Sequence, residues 1–376
     1  MNAFGKLEKV SSNAYLQSLE NLKVSNEVLV SSNQLTYVSV FCGGGGLDLG
    51  FTSGGFRPLF SSDVVPKFCE TISRNLSDHL VEAHDISELS GTDLKDRLNE
   101  HVSVVIGGPP CQSFSILGSR KSIDDPRGGL VFEYARFIKE IEPDAFLFEN
   151  VPGILTVNKG QDWKTMLDYF TETTGYHIKW TKLNSAWYGV PQIRQRVIAV
   201  GFKKKTTYEK FTWPEPLYAQ DDSNLLLPPP IPSKYALENL ENTENHTFRV
   251  HSQPIIDRYS TVPQGERDKK DRTDRIHPEK PSGTILVGSG AGGGRPFIHP
   301  YEHRHITVRE AARLQSFPDW WVFEGGPTAS YRQVGNAVPP LMAQQIAIQL
   351  KKALKEYEGR MILKFNTCLI LMKNIE

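Results

Sequence analysis

Gly107-Gly-Pro-Pro-Cys-Gln-Ser-Phe-Ser115 follows directly on the apolar run Val102-Ser-Val-Val-Ile106, and the junction between them decides how this chain folds. The run is short, rich in β-branched residues and closed by glycine, so it reads as a buried strand. Pro109 and Pro110 then fix φ near about −65° and supply no N–H, which stops a central strand from continuing. Cys111 therefore stands on a stiff turn at the carboxyl end of a strand, where open α/β sheets keep their chemistry. A simply buried cysteine is the ordinary alternative, because free cysteine is among the most buried residue types.

Working outward, the flanking sequence repeats the strand-then-helix order. Leu35 to Phe41 is rich in β-formers and is followed by Cys42-Gly-Gly-Gly-Gly46 and the helical start Leu47-Asp-Leu-Gly-Phe51. Strand, glycine loop and helix let backbone N–H groups approach a ligand closely. The loop lacks both the G-x-G-x-x-G order and a following Lys-Ser/Thr, so a nucleotide-like ligand and a plain tight turn fit it equally. The next strand, Pro58 to Ser62, ends in Asp63, 20 residues after Gly43, a spacing at which such sheets place a ribose-binding acid. A third strand, His79 to Ala83, leads to Asp85-Ile86. Either acid would serve equally as a helix cap.

Downstream of Cys111, Leu130 to Ile141 carries apolar residues at helical spacing, and Ala145 to Phe148 is a strand ending at Glu149-Asn-Val151. Cys111 and Glu149 lie 38 residues apart, about one βαβ unit. Both then sit at the same edge of adjacent parallel strands. Gln161 to Thr174 reads as a helix and His177 to Leu183 as a strand. In extended chain Gln192, Arg194 and Arg196 share one face just before the strand Val197 to Val200. That face suits either edge solubility or contact with a phosphate or carbonyl. The alternation predicts an α/β fold with a doubly wound, mixed but mostly parallel sheet.

The rhythm stops at Gly201 and resumes near residue 306. The boundaries that follow are an N-terminal extension over 1–33, an α/β domain over 34–202 that holds the glycine loop and the Cys111 turn, a smaller irregular domain over 203–305, a return segment over 306–360 and a tail over 361–376. Ala14 to Val30 leaves room for a short helix. The charged, glycine-bounded stretch 117–129 suits a mobile loop near a polyanion. His299, His303 and His305 lack a completing set of ligands, so no metal is expected. Thr307-Val-Arg-Glu310 is a capping box opening a helix from Arg309 to Ser316, Gln333 to Pro340 reads as a turn, and a long helix runs from Leu341 to about Tyr357.

The 376 residues include 43 Lys+Arg and 43 Asp+Glu, so any basic surface has to be local. Four cysteines without CxxC spacing argue for a reducing compartment. No signal peptide and no run of about 18 apolar residues is present. The expectation is a soluble, cytoplasmic protein with no membrane partner.

Taken together and in order, Phe41-Cys-Gly-Gly-Gly-Gly46, Pro109-Pro-Cys-Gln-Ser-Phe114, Glu149-Asn-Val151, Gln192-Ile-Arg-Gln-Arg196, Arg309-Glu-Ala-Ala-Arg-Leu-Gln315 with Phe317-Pro-Asp319, and Gly335-Asn-Ala-Val-Pro339 resemble the DNA cytosine-5 methyltransferases. The resemblance is chiefly to the bacterial restriction-modification (type II) kind and covers about residues 36–358. It implies a Rossmann-like fold with S-adenosylmethionine in the cleft and no metal. The methionine end of the cofactor would lie at Phe41, Gly43, Gly45, Gly46 and Leu47, its ribose at Asp63 and its adenine at Val64, Asp85 and Ile86. Pro110, Leu130, Asn336, Ala337 and Val338 would complete the pocket. Residues 203–305 would be a target-recognition domain facing the major groove of double-stranded DNA, where base pairs are distinguishable.

The residue types suit that chemistry. Carbon 5 of cytosine is a poor nucleophile, and a thiolate adding at carbon 6 turns the ring into an enamine. The resemblance makes Cys111 that nucleophile and Glu149 the acid meeting the charge at N3. Arg194 would hold the base carbonyl, and Arg196 would orient Cys111 or nearby phosphate. A stacked base is out of reach, so the cytosine is flipped out of the duplex, with 117–129 closing over it. The enzyme would act as a monomer, linked functionally to a cognate restriction endonuclease. Three other readings compete: a tRNA cytosine-5 methyltransferase, whose Cys-Phe-Thr element is missing here, a Rossmann-fold dinucleotide-dependent oxidoreductase, which leaves Cys111 idle, and a thiol hydrolase, which needs a histidine partner motif.

Overall fold

The computed structural model describes residues 12–23, 34–110, 129–220, 226–287 and 297–355. Seven strands form one sheet: β1 (Thr36–Val40), β2 (Arg57–Asp63), β3 (Leu80–Ala83), β4 (Val104–Gly107), β5 (Ala145–Asn150), β6 (His177–Asn184) and β7 (Gln195–Phe202). Their order is β3-β2-β1-β4-β5-β7-β6. The first five are parallel, and β7 runs antiparallel to both β5 and β6. This is the doubly wound, mostly parallel sheet expected from the sequence. Strand order reverses between β1 and β4, so a crevice opens beyond their carboxyl ends.

The central strands are apolar on both faces because helices cover both. Val38, Val105, Phe146, Phe148 and Val197 pack with side chains of α4 (Gly91–Leu98), α5 (Gly129–Ile141) and α6 (Gln161–Thr174). Their strand neighbours Tyr37, Val104, Ile106, Leu147 and Ile198 turn to the other side. There they meet α2 (Gly46–Ser53) and α11, residues 340–355. The period of two along each strand feeds two separate cores.

A third core lies beyond the crevice and gathers distant segments. Tyr15, Leu19 and Leu22, from or just after α1 (Ser12–Glu20), are buried with Ile231, Ala236, Phe317 and Trp321. The Tyr15 hydroxyl donates to the Arg313 carbonyl. Part of the stretch expected to be an extension without assigned role is thus core. Residues 226–287 and 297–305 are irregular, with α8 (Gln253–Ser260) and a few isolated bridges. Side chain–backbone bonds hold this region, as where buried Arg275 donates to the carbonyls of His299 (3.0 Å), Pro300 (3.3 Å) and Glu302 (3.2 Å).

The capping box forms as read: Thr307 accepts from the Glu310 N–H and Glu310 accepts from the Thr307 N–H, opening α9 (Val308–Leu314). The expected turn from Gln333 is shorter than the sequence indicates. α10 (Gly326–Asn336) runs through its first half, started by a proline in its first turn, leaving residues 337–339 to turn the chain.

Candidate active site

β1 leads into the glycine loop through three left-handed residues, Phe41 (φ 56°), Gly43 (φ 55°) and Gly45 (φ 79°). Glycine adopts this conformation without strain, which is why the loop is made of it. The Gly43 N–H donates to Asp63 Oδ2 and the Val65 N–H to Asp63 Oδ1, each at 3.0 Å. One carboxylate at the end of β2 therefore pins the loop to the start of α3 (Pro66–Asn75). Burial pushes its pKa up, and the two N–H groups pull against that. Gly46 lies under the return segment, where a Cβ would overlap the Val338 carbonyl oxygen.

These segments enclose a cavity of about 450 Å³, within the range of small-molecule sites. Phe41, Gly43, Gly46 and Leu47 line one side, Asp63 and Val64 another, and Asn336, Ala337 and Val338 close it. Its floor carries Pro109, Pro110, Glu149 and Arg196. Glu149 is 9% exposed, and the Arg196 Nε lies 2.6 Å from its Oε1 as a close ion pair. Burial raises the Glu149 pKa above the ordinary carboxylate value, opposed first by Arg196 and then by Arg194. A Cβ at Gly108 would come 2.7 Å from Glu149 Oε2, so only glycine fits beside the acid. Cys111 and residues 117–128 lie outside the described residues. The turn leading to Cys111 is held by the Asn150 Nδ2, which donates to the Pro109 carbonyl at 3.1 Å.

Arg194 is placed differently from the sequence expectation. It is fully buried, with Nη1 donating to the Ile285 carbonyl (3.2 Å) and Nη2 to the Gly335 carbonyl (2.6 Å). Alternation along the chain does put Arg194 and Arg196 on one side, but Arg194 is capped by the return segment and does not reach the cavity. It is a clamp between segments, and Arg196 is the arginine beside the acid.

Four expected cofactor contacts also stand off the cavity wall. Asp85 caps its own turn, accepting from the Ser87 N–H (2.9 Å) and hydroxyl (2.7 Å). Ile86 is buried in the sheet core with Leu130 packed against it, and Gly45 faces Ile72 and Trp321. Conversely, Cys42, Gly44, Phe68, Gly108, Asn150 and Val151 line the cavity without having been singled out. Asn150 and Val151 carried a signal in the Glu-Asn-Val stretch. Phe68 carried none, since one aromatic on a helix looks like core.

A second cavity of about 540 Å³ adjoins the first, sharing Val151, Arg196 and Asn336 and reaching Thr284 to Val287. Its rim includes exposed Ile193 (49%) and Leu286 (59%).

Beneath the glycine loop, Asp48 is fully buried and accepts from the hydroxyls of Ser39 (3.1 Å) and Ser61 (2.8 Å). Burial lifts its pKa from the ordinary aspartate value of 3.8 to about 6. The folded state then holds a proton that the unfolded chain has released, so stability falls as pH rises from about 4 to about 6. In urea melts, the stability of Asp48→Asn relative to wild type should rise by about 2–3 kcal/mol between pH 4.5 and 7.5. A difference independent of pH would mean that this carboxyl titrates as it does in water.

Comparison with known proteins agrees with this geometry. The profile of the C-5 cytosine-specific DNA methylase family matches residues 35–352. The type II methyltransferase M1.HphI of Haemophilus parahaemolyticus is 38% identical over 338 residues, covering 86% of this chain and 88% of its own. M.NgoFVII of Neisseria gonorrhoeae is 34% identical, covering 84% and 86%. Among solved structures, a prophage-encoded DNA modification methyltransferase of E. coli superposes with a TM-score of 0.71 at 27% identity, over 86% of this chain and all of that one. The Dnmt2 methyltransferase of S. pombe shares the fold, with a TM-score of 0.61 at 18% identity over 86% of this chain and 99% of its own. A match spanning the whole sheet, the irregular region and the return segment places the chain in the family of C-5 cytosine-specific DNA methylases.

Proposed function

We propose that the first cavity holds S-adenosylmethionine against the glycine loop and that methyl transfer to a DNA cytosine takes place at its Glu149–Arg196 floor. One observation carries this reading: a buried acid with a raised pKa lines the same cavity as a strand–glycine loop–helix junction. It lies beside β4, which ends at Gly107, four residues before Cys111.

The residues present suit the cofactor. Val64 is 61% exposed beside the Asp63 carboxylate, offering an apolar surface next to an acceptor for ribose hydroxyls. Gly43 leaves backbone open to a close ligand, Pro110 lies on the floor, and Asn336 to Val338 close the cavity. Gly45, Asp85, Ile86 and Leu130 stand outside this set, and Arg194 stands outside the reacting group. When bound, S-adenosylmethionine supplies an electrophilic methyl group.

Cys111 adds as thiolate to carbon 6 of the cytosine, and Glu149, whose pKa burial raises, donates a proton at N3. Arg196 keeps the Glu149 carboxyl in place. Carbon 5 would then take the methyl group and lose its proton to solvent; Cys111 would leave as thiolate while N3 returns its proton to Glu149, which restores both residues. The base has to be extruded from duplex DNA to reach this floor. The second cavity, with its apolar rim and the backbone of Thr284 to Val287, receives the strand beside the extruded nucleotide. Residues 203–305 form the recognition domain and 306–360 the segment returning to the catalytic domain. Like its type II relatives, the enzyme would protect cytoplasmic DNA from a cognate endonuclease, working as a monomer.

Cys111→Ser tests the chemistry. Binding of S-adenosylhomocysteine should persist by calorimetry, while methyl incorporation into duplex DNA falls by more than about 10³-fold. Activity within tenfold of wild type would remove Cys111 from the nucleophile's role. Bisulfite sequencing of DNA from expressing cells would name the target, and methylation of tRNA alone would overturn the reading.

A further inference from the structure

The Gly44 carbonyl in the glycine loop accepts a hydrogen bond from a residue 277 positions away, the Trp321 indole N–H at 3.1 Å. Trp321 is fully buried and does not touch the cavity. Its ring lies on the outer side of the loop, so close that a Cβ at Gly45 would come within 2.5 Å of it. On the other edge of the same peptide, the Gly45 N–H donates to the Cys42 carbonyl at 2.9 Å. The Gly44–Gly45 peptide is therefore held at both ends.

We propose that Trp321 is a positioning residue for the methyl donor, fixing the glycine loop in its binding shape through this single hydrogen bond. A peptide between two glycines rotates more freely than any other. With one anchor removed, the loop would spread over several conformations, and the bound shape would have to be selected at a cost in affinity.

The tryptophan is itself held rigidly, as a positioning group has to be. Arg309, fully buried on α9, donates to the Trp321 carbonyl at 2.7 Å and the Pro318 carbonyl at 2.8 Å. Phe317 packs against the Trp321 ring with centroids 5.9 Å apart. One turn along α9, Arg313 grips the Asp319 carboxylate through two nitrogens, at 2.8 and 2.5 Å. Residues 317–321 thus form a stiff bracket that aims one donor at the cofactor loop.

The inference rests on the reading of the first cavity as the cofactor site, and its test separates the two. Trp321→Phe keeps a ring and removes the donor. Titration with S-adenosylhomocysteine should show about tenfold weaker binding than wild type. The KM for S-adenosylmethionine should rise by a similar factor while kcat at saturation is kept. Amides of residues 43–47 should exchange faster in the free variant. Trp320→Phe is the control, because the Trp320 indole N–H is buried without an acceptor; it should leave the affinity unchanged.

Wild-type affinity in Trp321→Phe, or equal weakening in both variants, overturns the proposal and leaves only a packing role. Absence of binding by the wild-type protein itself sinks the cofactor reading first. Should Trp321→Phe not fold, Arg309→Lys loosens the bracket from behind. Several-fold weaker binding is then expected, and unchanged affinity overturns the proposal.

Discussion

Glu149→Gln is expected to slow methyl transfer by about 10²–10⁴-fold while leaving affinity for duplex DNA nearly intact. The amide keeps the shape of the side chain and still presents an oxygen to Arg196, whose Nε lies 2.6 Å from the acid. It has no proton to give to the N3 of cytosine. Burial raises the wild-type carboxyl above its ordinary pKa, and on the proposed reading its protonated form does the work. The wild-type pH profile of the single-turnover rate should therefore bend at that elevated pKa, where loss of the acid begins to offset the gain of Cys111 thiolate, and the residual rate of Glu149→Gln should lack that bend. Transfer of tritiated methyl groups across a pH series measures both. If the variant instead unfolds, or retains an unaltered rate, the acid serves structure alone.

Gly46→Ala is expected to be the most damaging single-methyl change in the cleft. The added Cβ would overlap the Val338 carbonyl oxygen and come 3.0 Å from the Ala337 Cβ. The first obstacle is backbone, so no side chain can swing aside. Either the glycine loop or the 336–338 turn must move, and each forms a wall of the same cavity. Overpacking of this kind costs about 1–3 kcal/mol, and the displaced wall should weaken S-adenosylhomocysteine binding by more than about tenfold. Thermal melting and calorimetry on one preparation give both numbers. Unchanged binding would show that the return turn can shift without closing the cavity.

The sheet was legible in the sequence because its strands are short apolar runs punctuated by glycine, proline and acids. The spacing between Cys111 and Glu149 announced adjacent parallel strands, and Ala145–Asn150 does pair beside Val104–Gly107. Periodicity could not distinguish Arg194 from Arg196. Both alternate to the same side, and what separates them is a tertiary event, the arrival of Ile285 and Gly335 over one guanidinium. Asp85 took the local alternative, its carboxylate occupied by Ser87 two residues on, whereas the tertiary limit returns at Trp321, where nothing local marks an indole that reaches back to Gly44. The residues that make the cleft were readable where a motif carried them. Those that hold it were not, because their partners lie 91 to 277 positions away.

That separation has a consequence for synthesis. The glycine loop emerges from the ribosome early, but Trp321, Asn336 and Val338, which brace and close it, come almost three hundred residues later. Pairing across such distances is slow to nucleate, since a long loop must close before any contact rewards it. A growing chain can assemble β1 to β7 as a half-built sheet whose crevice still lacks a wall. The wall at Asn336 to Val338 thus arrives last, and a chain cut short before it would carry the glycine loop and Glu149 without the segment that closes the cavity over them.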